Sequence, residues 1–240
     1  MAKKSIDYMA ARRAAEEKAR KQKFAVKAIL ISAIVILVIA VAAIIIANKN
    51  KETYVPLAQV QTEIDSYYAS DFKETDKESK YVIIKVKNYG DIVCELREDI
   101  APITVKNFKK LVSQKFYDGL IFHRVIEDFM IQGGGYTEAF AEKDANSIKG
   151  EFKSNGVANE LKHYRGVLSM ARTSVKDSAS SQFFIMHQTS PHLDGDYASF
   201  GYVVAGMDIV DKIATTKTGA NDVPATSVVI ESIRFAEFNK

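Results

Sequence analysis

From Ala28 to Ala47 the chain reads AILISAIVILVIAVAAIIIA, twenty residues in which only Ser32 is polar. At about 1.5 Å per residue a helix of that length spans roughly 30 Å, the thickness of a bilayer's hydrocarbon core. A core helix of a soluble domain rarely stays apolar on every face for so long, so the run predicts a transmembrane helix over 28–47. Beyond it, residues 48–79 are polar and charge-mixed, a linker compatible with a short helix between Val55 and Phe72, with Leu57, Val60, Ile64 and Tyr67 or Tyr68 on one stripe. Its end, KETDKES, reads as a tether.

At Tyr81 the texture changes to short apolar runs. YVIIKVK places Val82, Ile84 and Val86 on one face, and DIVCEL places Ile92, Cys94 and Leu96 likewise across a turn at Asn88-Tyr89-Gly90, which is a β-hairpin signal. APITVKNFKKLVSQ then predicts a helix opened by Pro102, with Val105, Phe108, Leu111 and Val112 as its apolar stripe. Further strands are predicted over Leu120 to Val125, Phe129 to Gln132, Val167 to Ala171, Phe183 to His187, Phe200 to Val204 and Val228 to Phe235, with a second helix from Met207 to Ala214. Gly133-Gly134-Gly135 reads as a turn leaving a strand. Many strands with two modest helices predict a mainly β fold, a closed antiparallel barrel capped at its ends.

Charge sharpens the membrane reading. The net charge of +3 divides into +6 for residues 1–27, with nine Lys or Arg against three Asp or Glu, and −3 for the rest. Lys and Arg are retained on the cytoplasmic side, so the N-terminus is expected inside and everything after Asn50 outside the cytoplasm. A cleavable signal peptide would have a shorter apolar run and an A-x-A-like site, which Ile44-Ile45-Ile46-Ala47-Asn48 lacks, so an uncleaved signal anchor is expected. The basic stretch RRAAEEKARKQK lacks interleaved aromatics and pairs Glu16 with Arg20 and Glu17 with Lys21, as a solvated helix does; no nucleic-acid partner is expected. The single Cys94 cannot form an intramolecular disulfide and reads as a small core residue.

The usual catalytic signatures are missing. His123, His163, His187 and His192 show no zinc-type spacing, so no metal site is expected. The glycine run precedes no Lys-Ser or Lys-Thr, and no G-x-S-x-G occurs. What stands out is FHRVIEDFMIQGG, Phe122 to Gly134, which puts Arg124 close to Phe129, Met130 and the amide of Gln132; SQFFIMH adds Phe183 and Phe184, and HLDG adds Leu193. Aromatic residues and Met at strand spacing are ordinarily core. An Arg beside an apolar slot is the exception, because such a slot suits a proline ring and the fixed cation can bond to a backbone amide.

FHRVIEDFMIQGG, GVLSMAR, SQFFI and HLDG, with Phe200-Gly201 following, resemble the cyclophilin family of peptidyl-prolyl cis-trans isomerases, from about Lys80 to Glu237, and the short single-domain bacterial members in particular. The resemblance implies a domain over 80–240: an eight-stranded antiparallel β-barrel closed by two helices, with its groove on the outer face. It implies Arg124 as the catalytic side chain with Gln132 holding the substrate backbone. Phe129, Met130, Phe184 and Leu193 match the pocket for the substrate proline, and His123 and Gln182 are similar to groove-lining positions. Ala171 and Arg172 fall where the family's main chain pairs with substrate. His192 and Tyr197 stand where many members have Trp and His, which puts cyclosporin affinity in doubt, and Gly135 replaces a common Asp. The implied reaction makes and breaks no bond and calls for no cofactor. The expected partners are proline-containing unfolded or exported polypeptides, and the expected role is folding of exported or surface proteins; a non-catalytic, membrane-tethered peptide-binding scaffold is the alternative.

Overall fold

The computed structural model describes residues 54–239. The predicted basic segment 1–27 and membrane helix 28–47 lie outside them, and no helix among the described residues is long and apolar enough to cross a membrane. The chain runs through a one-turn helix α1 (Val60–Glu63), β1 (Phe72–Glu74), β2 (Tyr81–Val86), β3 (Gly90–Leu96), α2 (Pro102–Ser113), β4 (Leu120–Ile126), β5 (Met130–Thr137), β6 (Val167–Met170), β7 (Phe183–Met186), β8 (Ser199–Ala205), α3 (Met207–Ala214) and β9 (Val228–Phe238). Strands pair in the order β1-β9-β2-β3-β8-β6-β7-β5-β4, and β4 returns to β9. Eight antiparallel strands, β2 to β9, therefore close into a barrel with no free edge at the seam, and β1 adds to the outer end of β9.

The hairpin of β2 and β3 sets Ile84 opposite Ile92 around a turn in which Asn88 is left-handed, a conformation Asn tolerates. Its alternation sends Val82, Ile84, Val86, Ile92, Cys94 and Leu96 into the barrel core. The expected stripe of α2 is wholly buried there, as are Val210 and Ile213 of α3. Neither helix caps itself; a distant carboxylate does so. Glu151 accepts the N–H of Ile103 at 3.1 Å and of Thr104 at 2.7 Å, and Asp65 accepts the N–H of Gly206 at 3.0 Å and of Met207 at 3.1 Å.

Two expectations are corrected. The glycine run Gly133-Gly134-Gly135 is not a turn but the middle of β5. A Cβ on Gly133 would meet the Ile121 carbonyl oxygen at 2.9 Å, and one on Gly135 would meet the Gln182 side chain at 2.5 Å, so glycine here permits close approach. The helix expected between Val55 and Phe72 shrinks to a 3₁₀ turn at Leu57–Gln59 followed by α1. The linker's described part is a strap across the barrel wall. Asp65 and Tyr67 donate backbone bonds to Val203 and Val204, β1 pairs with β9, and Val60 and Phe72 are buried against outward-facing Ile83, Val93, Tyr202 and Val204. The stripe divides accordingly: Val60 is buried, whereas Leu57 and Tyr68 are exposed.

Phe72 packs edge-on against Tyr67, Tyr81 and Phe238, with centroids 5.9, 5.0 and 4.9 Å apart. Phe72→Ala is expected to lower the unfolding free energy by about 3 kcal/mol, the usual scale for a buried Phe. Chemical denaturation checks this, and a loss below about 1 kcal/mol would mean that the strap does not stabilise the barrel.

Candidate functional site

Strict alternation along β4 would put Phe122 and Arg124 on the same face. The barrel core instead takes Leu120, Phe122 and Val125, because the β4–β5 register shifts: Phe122 faces Gly133, yet Arg124 faces Gln132. His123 is the extra residue of a β-bulge, and the bulge turns Arg124 outward. On the neighbouring strands alternation is regular, so Ile131, Phe183 and Ile185 fill the barrel while Met130, Phe184 and Met186 face out.

Outside the barrel these residues enclose a cavity of about 190 Å³ lined by Arg124, Phe129, Met130, Gln132, Ala171, Arg172, Phe184, Leu193 and Tyr197. Nine of the twelve sequence-derived site residues thus meet in one slot, small beside the roughly 300–1,000 Å³ clefts of drug-sized ligands. Of the other three, Gln182 and His192 touch residues that line it, whereas His123 does not line it. Gln182 accepts from Gln132 Nε2 at 3.0 Å and lines an adjoining, more polar cavity. His192 stacks on Phe129 with centroids 5.7 Å apart. His123 packs edge-on against Tyr136 and does not line the slot.

His163, Ser169, Asp194 and His187, which carry no signal for the slot in the sequence, hold it together with the sequence-marked Arg172 and Tyr197. Phe184 lies between the Tyr197 ring, edge-on at 5.9 Å, and the His163 ring, stacked at 6.2 Å. His163 is buried, with Nδ1 3.0 Å from an Asp194 oxygen and Nε2 3.1 Å from the Ser169 hydroxyl. Burial lowers its pKa and outweighs the opposing pull of Asp194, so the ring is neutral, donating to Asp194 and accepting from Ser169. Ser169 is completely buried, so this Ser-His-Asp chain is a strut behind Phe184 and not a nucleophile. Arg172 donates from Nε and Nη2 to the Asp196 carbonyl at 3.0 and 2.8 Å and lies 4.6 Å over the Tyr197 ring, which secures the loop carrying Leu193 and Tyr197. His187 Nδ1 accepts the Asp128 N–H at 2.9 Å and pins the turn that presents Phe129. These partners are remote in sequence, which is why local pattern missed them. At the rim, Arg124 is 42% exposed and donates from Nε to Asp222 at 3.2 Å.

A mainly β barrel closed on itself, with an external slot walled by Phe, Met and Leu side chains and bordered by Arg124 and Arg172, defines a class of proteins. The model of the family described as cyclophilin type peptidyl-prolyl cis-trans isomerase/CLD matches residues 81–235, and the chain belongs to that family. It is 48% identical over 162 residues to a peptidyl-prolyl cis-trans isomerase of Acinetobacter baylyi, covering 63% of this chain and 84% of that one. It is 44% identical over 162 residues to peptidyl-prolyl cis-trans isomerase B of Escherichia coli, covering 62% and 96%. Among solved structures, a cyclophilin type peptidyl-prolyl cis-trans isomerase of Cryptosporidium parvum superposes with a TM-score of 0.58 at 29% identity, covering 67% of this chain and 99% of that one. A second structure of that protein was determined in the presence of the dipeptide Ala-Pro, with a TM-score of 0.56 at 30% identity, covering 65% and 98%. The chain is a peptidyl-prolyl cis-trans isomerase of the cyclophilin type.

Burial, reinforced by the neighbouring Arg124 charge, pushes the His123 pKa down from 6.5 to about 4. The unfolded chain binds a proton near pH 6.5 that the folded ring refuses until about pH 4. This contribution to stability is therefore fully present above pH 6.5 and is lost as the pH falls from there toward 4. Melting temperatures between pH 7 and 4.5 should fall less steeply in His123→Gln than in the parent; identical slopes would refute the assignment.

Proposed function

We propose that this isomerase seats a proline ring in the slot of Phe129, Met130, Phe184 and Leu193 and aims Arg124 at the prolyl nitrogen. The observation that carries this reading is the slot lined by Phe129, Met130, Phe184 and Leu193, with two guanidiniums at its rim: Arg172 is engaged by the Asp196 and Thr173 carbonyls, whereas Arg124 is half-exposed, with Gln132 directly across the strand pair. The Ala-Pro used with the Cryptosporidium relative supports a proline-containing peptide as ligand.

The reaction is rotation about an amide bond whose resonance sets a barrier of about 18–20 kcal/mol. In the twisted state the nitrogen loses conjugation and becomes a hydrogen-bond acceptor. A donor there is worth more in the transition state than in the planar ground state, which is the condition for raising the rate. Arg suits the role because it stays charged and presents a planar fork of donors, whereas Lys offers a compact point charge. Gln132 and the backbone near Ala171 hold the flanking residues while the acyl side turns. No step exchanges a proton with bulk water or forms a covalent intermediate.

A hydrogen bond to a charged group is worth about 1.5–3 kcal/mol, or roughly ten- to a hundredfold in rate. Arg124→Ala should therefore lose most of the turnover of an X-Pro peptide while peptide binding survives in part. Unchanged turnover would remove Arg124 from the mechanism. A chain that binds the peptide but never accelerates exchange would be a scaffold.

The cellular role follows from the other end of the chain. The apolar run 28–47, with nine basic residues before it, supports a single-pass anchor with its N-terminus in the cytoplasm. The isomerase domain then acts outside the cytoplasm on exported or surface proteins. Protease treatment of intact cells should remove the barrel, and protection of the barrel would refute this topology.

A further inference from the structure

We propose that Asp222 is a positioning residue of the isomerase, one that holds Arg124 by its Nε so that the terminal nitrogens are left to the substrate. This rests on the reading of Arg124 as the reacting side chain. Asp222 Oδ2 accepts the Nε–H at 3.2 Å, and among the described residues neither Nη atom has a protein partner. A guanidinium gripped only at Nε keeps its outer edge, the part that faces away from its own strand, available as a donor. An Arg of this exposure otherwise samples many rotamers, and a side chain already held in one orientation loses less freedom on reaching the transition state.

The loop that delivers Asp222 is built for presentation. It lies between α3 and β9, where Gly219 N–H donates to the Val223 carbonyl at 2.8 Å and Ala225 N–H to the Lys217 carbonyl at 2.8 Å, with a bridge between Thr218 and Pro224. At its tip Asn221 and Asp222 are both left-handed, with φ of 59° and 60°. Two successive non-glycine residues in that region are strained, although Asn and Asp bear it better than other residues. The short ladder below the tip holds the strain, and the result is a carboxylate turned toward β4. Asp222 lies 98 residues from Arg124 and outside every motif that marks the slot. The ion pair is half-exposed on both sides, so it contributes little to folding stability; its effect falls on geometry.

The test uses the full chain and an X-Pro peptide. Asp222→Gly removes the carboxylate at a backbone angle that glycine adopts freely, and Asp222→Asn keeps an acceptor and tolerates the same angle. Asp222→Gly should lower kcat about three- to tenfold with KM nearly unchanged, and Asp222→Asn should restore part of the loss. The Arg124 Nε–H resonance should shift in Asp222→Gly, and the melting temperature should not. In an Arg124→Ala background Asp222→Gly should cost nothing further. Unchanged or faster turnover in Asp222→Gly overturns the proposal, as does a loss that adds in full to that of Arg124→Ala. If Arg124→Ala itself keeps full activity, the reading of Arg124 fails instead, which separates the two failures.

Discussion

An eight-stranded barrel has an interior just wide enough to be filled by side chains, and everything in this domain depends on keeping that interior apolar while a guanidinium stands a few ångströms away. The bulge at His123 reconciles the two demands. It lets β4 send Phe122 inward, skip a residue, and resume alternation with Val125 inward and Arg124 outward. Were β4 to alternate regularly through His123 instead of bulging there, Arg124 would share the inward face of Phe122, and burying its charge in the core would be costly. The bulged residue bears a consequence of its own: its ring is half-buried, its Nδ1 has no hydrogen-bond partner, and it resists protonation.

Around the slot the molecule spends its polar interactions on holding apolar surfaces still. Phe184 is flanked by two rings, one of them locked by Asp194 and Ser169 into a single neutral tautomer. Arg172 closes the loop of Leu193 and Tyr197 through a backbone carbonyl and an aromatic face. Such networks are effective in a low-dielectric setting because every member is satisfied, and a satisfied network has one arrangement. A slot with fixed walls can discriminate a twisted peptide from a planar one, whereas a pliable slot would accommodate both.

The strap of residues 54–79 extends the same logic to the outer faces of β2, β3 and β8. Its β1 prolongs the sheet beyond β9, Phe72 and Val60 cover outward-facing Ile83, Val93 and Val204, and Asp65 supplies the cap that α3 lacks. A family model that begins at residue 81 does not include it, yet the packing makes it part of the domain.

The sequence by itself marked the eight barrel strands, the helices α2 and α3 and their buried stripes, because apolar periodicity is a local property that survives without knowledge of the fold. It also brought forward nine of the slot's residues, through motifs short enough to read in one stretch. Local pattern misread the glycine run and the strap: the need for Gly133 and Gly135 lies in Ile121 and Gln182 across the sheet, and the partners of Val60 and Phe72 lie on β2, β3 and β8. Only the tertiary structure could decide which way Arg124 points, since a bulge is a mismatch between two strands and neither strand carries it alone. For the same reason Asp222, His163, Ser169 and Asp194 acquire their roles only in the closed barrel, where packing brings together residues that the chain keeps far apart.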